Sequence, residues 1–264
     1  MAGCNVKLTP EAVKQEDQDE RDDVKHQQAS EMSYRELVGA LQYLVSGSRL
    51  DIAHAVRALG QYLTCYTAKL YLRAKRVPKY LKATEDVSLY MRVEQSADKP
   101  ATLEALTDAD YANDKDDREK ISGYAIFFDG NVVSYGSRKQ ALNAQSTAKA
   151  EYLAMNEGKR DLMWMKGCAM SVSGSARFQC WGKHTKSKHI ENKYHYARHQ
   201  VEAGHMTTRF CPADDMTADI MPKELASTKF EKFRTDLGVL HMSDVLKDDR
   251  QTAFTAQTTQ ETTA

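Results

Sequence analysis

From residue 33 onward the apolar positions recur every three or four residues. Leu37, Leu41, Leu44 and Val45 form one stripe, and Ile52, Val56, Leu59 and Leu63 form another, which is the spacing of amphipathic helices. Asp51 stands where the second helix would begin and reads as its N-cap. A third helical stretch, 69–83, carries Lys75, Arg76, Lys79 and Lys82, with Pro78 in its middle. A proline inside a helix removes a backbone donor and clashes with the preceding turn, at roughly 3 kcal/mol, so this helix is expected to kink or break. From about residue 86 the period changes to two. DVSLYMRV and ATLEALTD alternate, and AIFFDGNVVSY reads as two strands around a tight Asp129-Gly130-Asn131 turn. The segment 146–164 returns to helical spacing, with Ser146 or Thr147 as its cap, and a further helix is expected over 189–203. HMTTRFC is a short strand that stops at Pro212, and a last helical stretch runs to about 236. Strands followed by helix, strand and helix predict an α/β (α+β) layering around a small mixed sheet.

Composition narrows the picture little. The 264 residues are 28% charged and 41% hydrophobic, and Lys+Arg equals Asp+Glu. A core is affordable in a very polar chain, and any argument for nucleic-acid binding has to be local. The five cysteines, Cys4, Cys65, Cys168, Cys180 and Cys211, include no Cys-x-x-Cys pair, which suits free thiols in a reducing compartment. The first residues lack the apolar core of a signal peptide, and no run approaches bilayer length. The expectation is a soluble intracellular protein, cytoplasmic or nuclear, with no membrane partner. Residues 1–32 are polar and acid-rich and read as disordered; 239–264 end in a Thr/Gln-rich run and read as a disordered tail.

Several carboxylates stand in unusual places. Asp108 and Asp110 lie one residue apart at the end of an extended segment, before a run of charges. Glu151 shares a helix side with the apolar residues Ala148, Tyr152 and Met155, where a carboxylate is costly unless neutralised. Asp219 lies between Ala218 and Ile220 at a helix start. Each has an ordinary reading: a solvated loop, an edge Glu paired with lysine, a first-turn Asp facing the helix dipole. Brought together by a fold, hard oxygen donors of this kind would select Mg²⁺ or Mn²⁺.

The chain also resembles a known family. YRELVGALQYLVSGSRLDIAHAVRALGQYL, LYLRAKRVPKYLKAT, TDADYANDKDDREKISGYAIFFDGNVVSYGSRKQ, QSTAKAEYLA, HTKSKHIENKYHYARHQVEAGHM and PADDMTADI follow in order the C-terminal part of Ty1/copia-type retrotransposon Pol polyproteins, over about residues 33–238. The resemblance implies the end of a reverse transcriptase, here a helical remnant over 33–85, followed by an RNase H-like domain over 86–238. Such a domain cuts the RNA strand of an RNA–DNA hybrid with Mg²⁺, or Mn²⁺, in a two-metal site. On that resemblance Asp108, Glu151 and Asp219 are the catalytic, metal-holding acids. The implied partners are an RNA–DNA hybrid or other nucleic acid, and other retroelement proteins.

Departures from the family pattern point to a truncated, degenerate copy. The third family acid belongs to a strand between the 146–164 helix and HTKSKHI, yet KGCAMSVSGSARFQCWGK holds no Asp or Glu. The 165–188 region therefore reads as incomplete, with Phe178-Gln179-Cys180 as all that is left of the strand. Loss of a ligand that positions metal and phosphate costs orders of magnitude in rate, and nothing in the sequence shows Asp110 replacing it. Lys149 replaces a family Glu, and the polymerase Tyr-x-Asp-Asp is absent. The basic run 183–200 offers Lys183, Lys186, Lys188, Lys193 and Arg198 to a phosphate backbone; a solvated polar helix is the alternative. His195 and His199, at i and i+4, lack a convergent third metal ligand. Impaired hybrid hydrolysis is thus the first reading. A non-catalytic nucleic-acid-binding module or a non-functional relic is the other.

Overall fold

The computed structural model describes residues 33–92, 101–110, 120–140, 147–173, 176–181 and 196–247. The end read as disordered over 1–32 lies outside the described residues, as do the part 248–264 of the tail read over 239–264 and the stretch 182–195. Four short helices open the described chain: α1 (Tyr34–Gly47), α2 (Ala53–Gly60), α3 (Ala68–Ala74) and α4 (Arg76–Ala83). Helix α1 begins with a capping box: the Ser33 hydroxyl accepts from the Glu36 backbone N–H at 3.3 Å, and Glu36 accepts from the Ser33 N–H at 2.9 Å. The signature Ser-x-x-Glu lies in the sequence, so this start was legible.

The 69–83 segment breaks at Lys75 into α3 and α4, and Pro78 falls at the third residue of α4. There its missing N–H removes no intrahelical bond, because first-turn donors have no helical partner. Asp51 does not cap a helix as the sequence pattern suggested. It sits in a 3-10 turn, Leu50–Ile52, and Ile52 precedes α2. Its buried carboxylate accepts from Arg49 Nε at 3.0 Å, Arg49 Nη2 at 2.8 Å and the Tyr80 hydroxyl at 2.8 Å. Arg49 reaches on to the Thr84 carbonyl and hydroxyl. A fully used ion pair thus ties the α1–α2 junction to α4, and the long-range partners, not the local sequence, decide the role of Asp51.

The main sheet has five strands in the order β4-β3-β2-β5-β6: β2 (Ala101–Asp110), β3 (Ile121–Phe128), β4 (Asn131–Lys139), β5 (Ala176–Trp181) and β6 (Thr207–Arg209). Strands β2, β3 and β4 form an antiparallel meander, and β5 and β6 add in parallel. The β3–β4 turn is tight because Asp129 and Gly130 both take positive φ, 46° and 77°, as a primed hairpin turn requires. The 165–188 region holds more than the sequence suggested. β5 covers all of Ala176–Trp181 and pairs with β2 from Ala101↔Ala176 to Leu106↔Trp181. The tail reading also begins too early, since Val239–His241 forms β7, paired with β1 (Val87–Leu89), and 242–247 are helical.

Alternation along β2 divides its side chains between two layers. Leu103 and Ala105 pack with Tyr124, Ile126, Met155 and Leu162 beneath α5 (Thr147–Ser173). On the other face, Ala125, Phe127 and Val132 join one large core with Leu41, Leu59 and Leu70 of the opening helices and with Ile220, Phe233 and Leu237 of the C-terminal part. That C-terminal part comprises a 3-10 turn, Thr217–Ile220, and α7 (Ser227–Asp236). The architecture is mixed α+β, with an antiparallel meander clasped between helices. The short α6 (Tyr196–Glu202) precedes β6.

Candidate functional site

Asp108 lies near the C-terminal end of β2, opposite Gly123 of β3. Its neighbours Thr107 and Ala109 point to α5, where Ala109 clusters with Ala150, Leu153 and Ala154. Asp108 therefore points to the opposite layer, toward the 3-10 turn. That approach is close because position 123 is glycine: a Cβ there would stand 2.4 Å from Pro222 Cδ and 3.0 Å from the Ala218 carbonyl. The turn delivers Asp219, buried like Asp108, at 5% and 2% exposure.

The two aspartates meet at one cation. Lys223 Nζ lies 2.7 Å from Asp108 Oδ2 and 3.0 Å from Asp219 Oδ1. Lys229 Nζ, from α7, stands 3.1 Å from the other Asp219 oxygen. Burial, then the nearby Asp219 charge, pushes the Asp108 carboxyl up to about 6, against the pull of Lys223. Burial opposes the charge on Lys223, but Asp108 and Asp219 outweigh it and raise its pKa. The cluster is a buried two-carboxylate cradle that holds a positive charge.

Glu151 sits elsewhere. It is half-buried on the first turns of α5, beside Ala150, and so belongs to the layer on the other face of β2 from Asp219. The structure brings Asp108 and Asp219 together and leaves Glu151 outside the Lys223 cradle. Among the described residues no group of three His, Cys, Asp or Glu side chains is arranged to hold a metal ion. The residues present thus fit a single cation shared by two carboxylates, with an ammonium in that position.

Asp110 follows Asp108 on the same strand and is buried, at 9% exposure. Near the start of α5, burial, then the Lys149 charge, lowers the Lys120 pKa. Gln140, also buried, donates from Nε2 to Ser122 Oγ at 3.0 Å and to the Ala150 carbonyl at 2.8 Å. It fastens the start of α5 to the sheet beside Glu151. Of the basic residues assigned to nucleic acid, Lys183, Lys186, Lys188 and Lys193 lie outside the described residues. Arg198 lies on α6, and His199, at an exposed position, follows it.

Sequence reasoning missed Lys223 and Lys229. Lys223 follows Asp219 by four residues, an i, i+4 charge pair that could have been noticed. Nothing local connects either lysine to Asp108. No helix among the described residues is long and apolar enough to cross a membrane.

No protein-family model matches the chain. Curated relatives do. The retrovirus-related Pol polyprotein from transposon RE1 of Arabidopsis thaliana is 29% identical over 221 residues, 78% of this chain. That from transposon TNT 1-94 of Nicotiana tabacum is 27% identical over 229 residues, 80% of the chain. The chain spans only 15% and 16% of these two proteins. Secreted RxLR effector protein 161 of Plasmopara viticola is 34% identical over 132 residues, half of this chain and 90% of the effector.

Proposed function

Because the chain is homologous to Ty1/copia-type retrotransposon Pol polyproteins, we propose that it is an RNase H-like module that engages RNA–DNA hybrids and whose hydrolytic activity is impaired. The observation that carries this reading is the meeting of Asp108 and Asp219 around one positive charge at the end of the central strand. Two acids so far apart along the chain, both buried and both aimed at one cation, are costly to assemble without a use for the charge they collect.

Asp108 and Asp219 would hold Mg²⁺ or Mn²⁺, and a cation bound there would supply activation of water and stabilisation of the leaving oxygen of a phosphodiester. The chain's own residues set the terms. Asp108 and Asp219 supply the hard oxygens. Lys223 neutralises them in the protein alone and has to move aside for a divalent ion. Lys229 holds the second Asp219 oxygen and fixes the orientation of that carboxylate. Impairment follows from β5, which runs beside β2 as Ala-Arg-Phe-Gln-Cys-Trp and brings no carboxylate to the site.

That same feature favours a second reading, a module that binds hybrid without cutting it. A labelled RNA–DNA hybrid incubated with Mn²⁺ and Mg²⁺ separates the two. The expected result is slow cleavage or none, together with salt-sensitive binding. Fast cleavage abolished by Asp108→Asn would remove the claim of impairment, and absence of any hybrid binding would remove both readings.

A further inference from the structure

The opening helices hold an uneven share of the charge. The chain has no net charge, yet residues 52–84 carry seven Lys and Arg and no Asp or Glu. The excess gathers on α3 and α4, and neither helix has an acid in its first turn. Arg76 opens α4, where the helix dipole disfavours a cation.

Within α4 the cations are sorted by face. Arg76, Lys79 and Lys82 are exposed, as is Ala83 beside them. At 3.6 residues per turn these four share an arc of about 120°, and Arg76 and Lys82 stand about 9 Å apart along the axis. Among the described residues none of the three cations has an ion-pair partner. The apolar side of α4 is already covered: Val77 is fully buried, and Tyr80 and Leu81 pack against the large core. A helix that enters a lipid surface needs that side for insertion; here charge alone is left to meet a partner. A cation row without acids complements a phosphate backbone, which presents one negative charge per about 1.7 Å of duplex axis.

The row also lies near the carboxylate cradle. Tyr80 meets Phe230 of α7 edge to face, with ring centroids 6.2 Å apart, and Phe230 follows Lys229, a partner of Asp219. Tyr80, Phe230 and Lys223 border one cavity of about 30 Å³. Helix α4 thus reaches the cavity beside Lys223 through Tyr80 and turns its cation row to solvent.

We propose that Arg76, Lys79 and Lys82 form a docking surface for the phosphate backbone of a nucleic-acid duplex, flanking the cradle and acting by charge rather than by base sequence. The assignment rests on the reading that the chain engages RNA–DNA hybrid and adds residues that hold its backbone.

The test is binding of a fluorescently labelled RNA–DNA hybrid to the full chain in chelator, so that no metal-dependent cleavage intervenes, over a series of salt concentrations. The triple variant Arg76→Gln, Lys79→Gln, Lys82→Gln keeps helix propensity. It should lower the salt slope of log affinity by about two to three and bind on the order of tenfold more weakly at low salt, with an unchanged thermal melt. If it melts early, Lys79→Gln and Lys82→Gln singly carry the test, each with a slope lower by about one. The charge-keeping variant Arg76→Lys, Lys79→Arg, Lys82→Arg should retain the wild-type slope. Arg160→Gln, exposed on α5 in the layer across the sheet, should retain it too. A wild-type slope in the glutamine variants, while the wild type binds hybrid, overturns the α4 surface and leaves the hybrid reading standing. An Arg160→Gln that loses as much slope as Lys79→Gln does the same. Unchanged hybrid binding with lost binding to phosphatidylserine vesicles reassigns the row to an anionic membrane and also overturns it. A wild type that binds no hybrid removes both readings.

Discussion

Lys223 is the residue on which the carboxylate cradle turns. Its ammonium compensates two buried carboxylates at once, and its side chain is itself only 25% exposed. Removing one partner of such a set leaves uncompensated buried charge, at roughly 3 kcal/mol or more. Lys223→Met should therefore lower stability by about that amount in metal-free buffer, read as a shift of the urea midpoint without a change in slope. Added Mg²⁺ should restore part of the loss, because a divalent cation can take the vacated place; a variant as stable as wild type would show that the cradle carries little energy. His54 offers a second check. Burial, then the adjacent Arg57 charge, lowers its pKa from 6.5 to about 4, against hydrogen bonds to the Met221 and Pro222 backbone. A depressed histidine stabilises the fold above its unfolded pKa and withdraws that stabilisation as pH falls. Stability should thus decline between pH 6.5 and about 4, by on the order of 2–3 kcal/mol. His54→Asn should flatten that decline, and an equally steep acid limb in the variant would assign it to other groups.

Elements meet here through small residues and shared hydrogen bonds. Helix α5 lies close on β2 because position 158 is glycine: a Cβ there would stand 2.5 Å from Thr107 Cγ2 and 3.3 Å from Tyr124 Cβ. Gly158→Ala should push α5 off the sheet and cost about 1–3 kcal/mol by overpacking. Pairing it with Thr107→Ser, which deletes the offending methyl, should recover part of the loss in thermal melts. No recovery would mean that Tyr124 sets the spacing. Pro78 makes the opposite case. At the third residue of α4 it withholds no helical hydrogen bond, so Pro78→Ala should change stability by less than about 1 kcal/mol, against the roughly 3 kcal/mol of a mid-helix proline. The sequence made the break between α3 and α4 legible, as it did the Asp129-Gly130 turn. It did not make β5 legible at full length, because a run of six residues is too short for its period to be read from the sequence.

At the scale of the molecule, the opening helices and the sheet are not packed as separate bodies. Leu41, Leu59 and Leu70 share one core with Ala125, Phe127, Val132 and Phe233, and the Tyr135 hydroxyl of β4 donates to the Val45 carbonyl of α1. The boundary read at residue 85 is thus not a boundary in packing. The full chain should unfold in a single transition, the same by far-ultraviolet circular dichroism and by tryptophan fluorescence. A fragment beginning at residue 86 should lose cooperative unfolding, because one face of its sheet would be stripped of its cover. Two well-separated transitions in the full chain would refute the shared core.

The sequence by itself determined the local matters: where helices start and stop, where the period switches to two, where the hairpin turns. Those follow from propensity, capping and backbone sterics, which act over a few residues. It also determined the resemblance to Pol polyproteins, carried by ordered motifs. Only the tertiary structure decided which charges meet. It turned Asp51 from a helix cap into the acceptor of Arg49 and Tyr80, set Lys223 between Asp108 and Asp219, and put Glu151 in the layer across the sheet. The reason is physical: a buried charge is tolerated only beside its partner, and partners remote in sequence become neighbours only when strand register and layer packing are fixed.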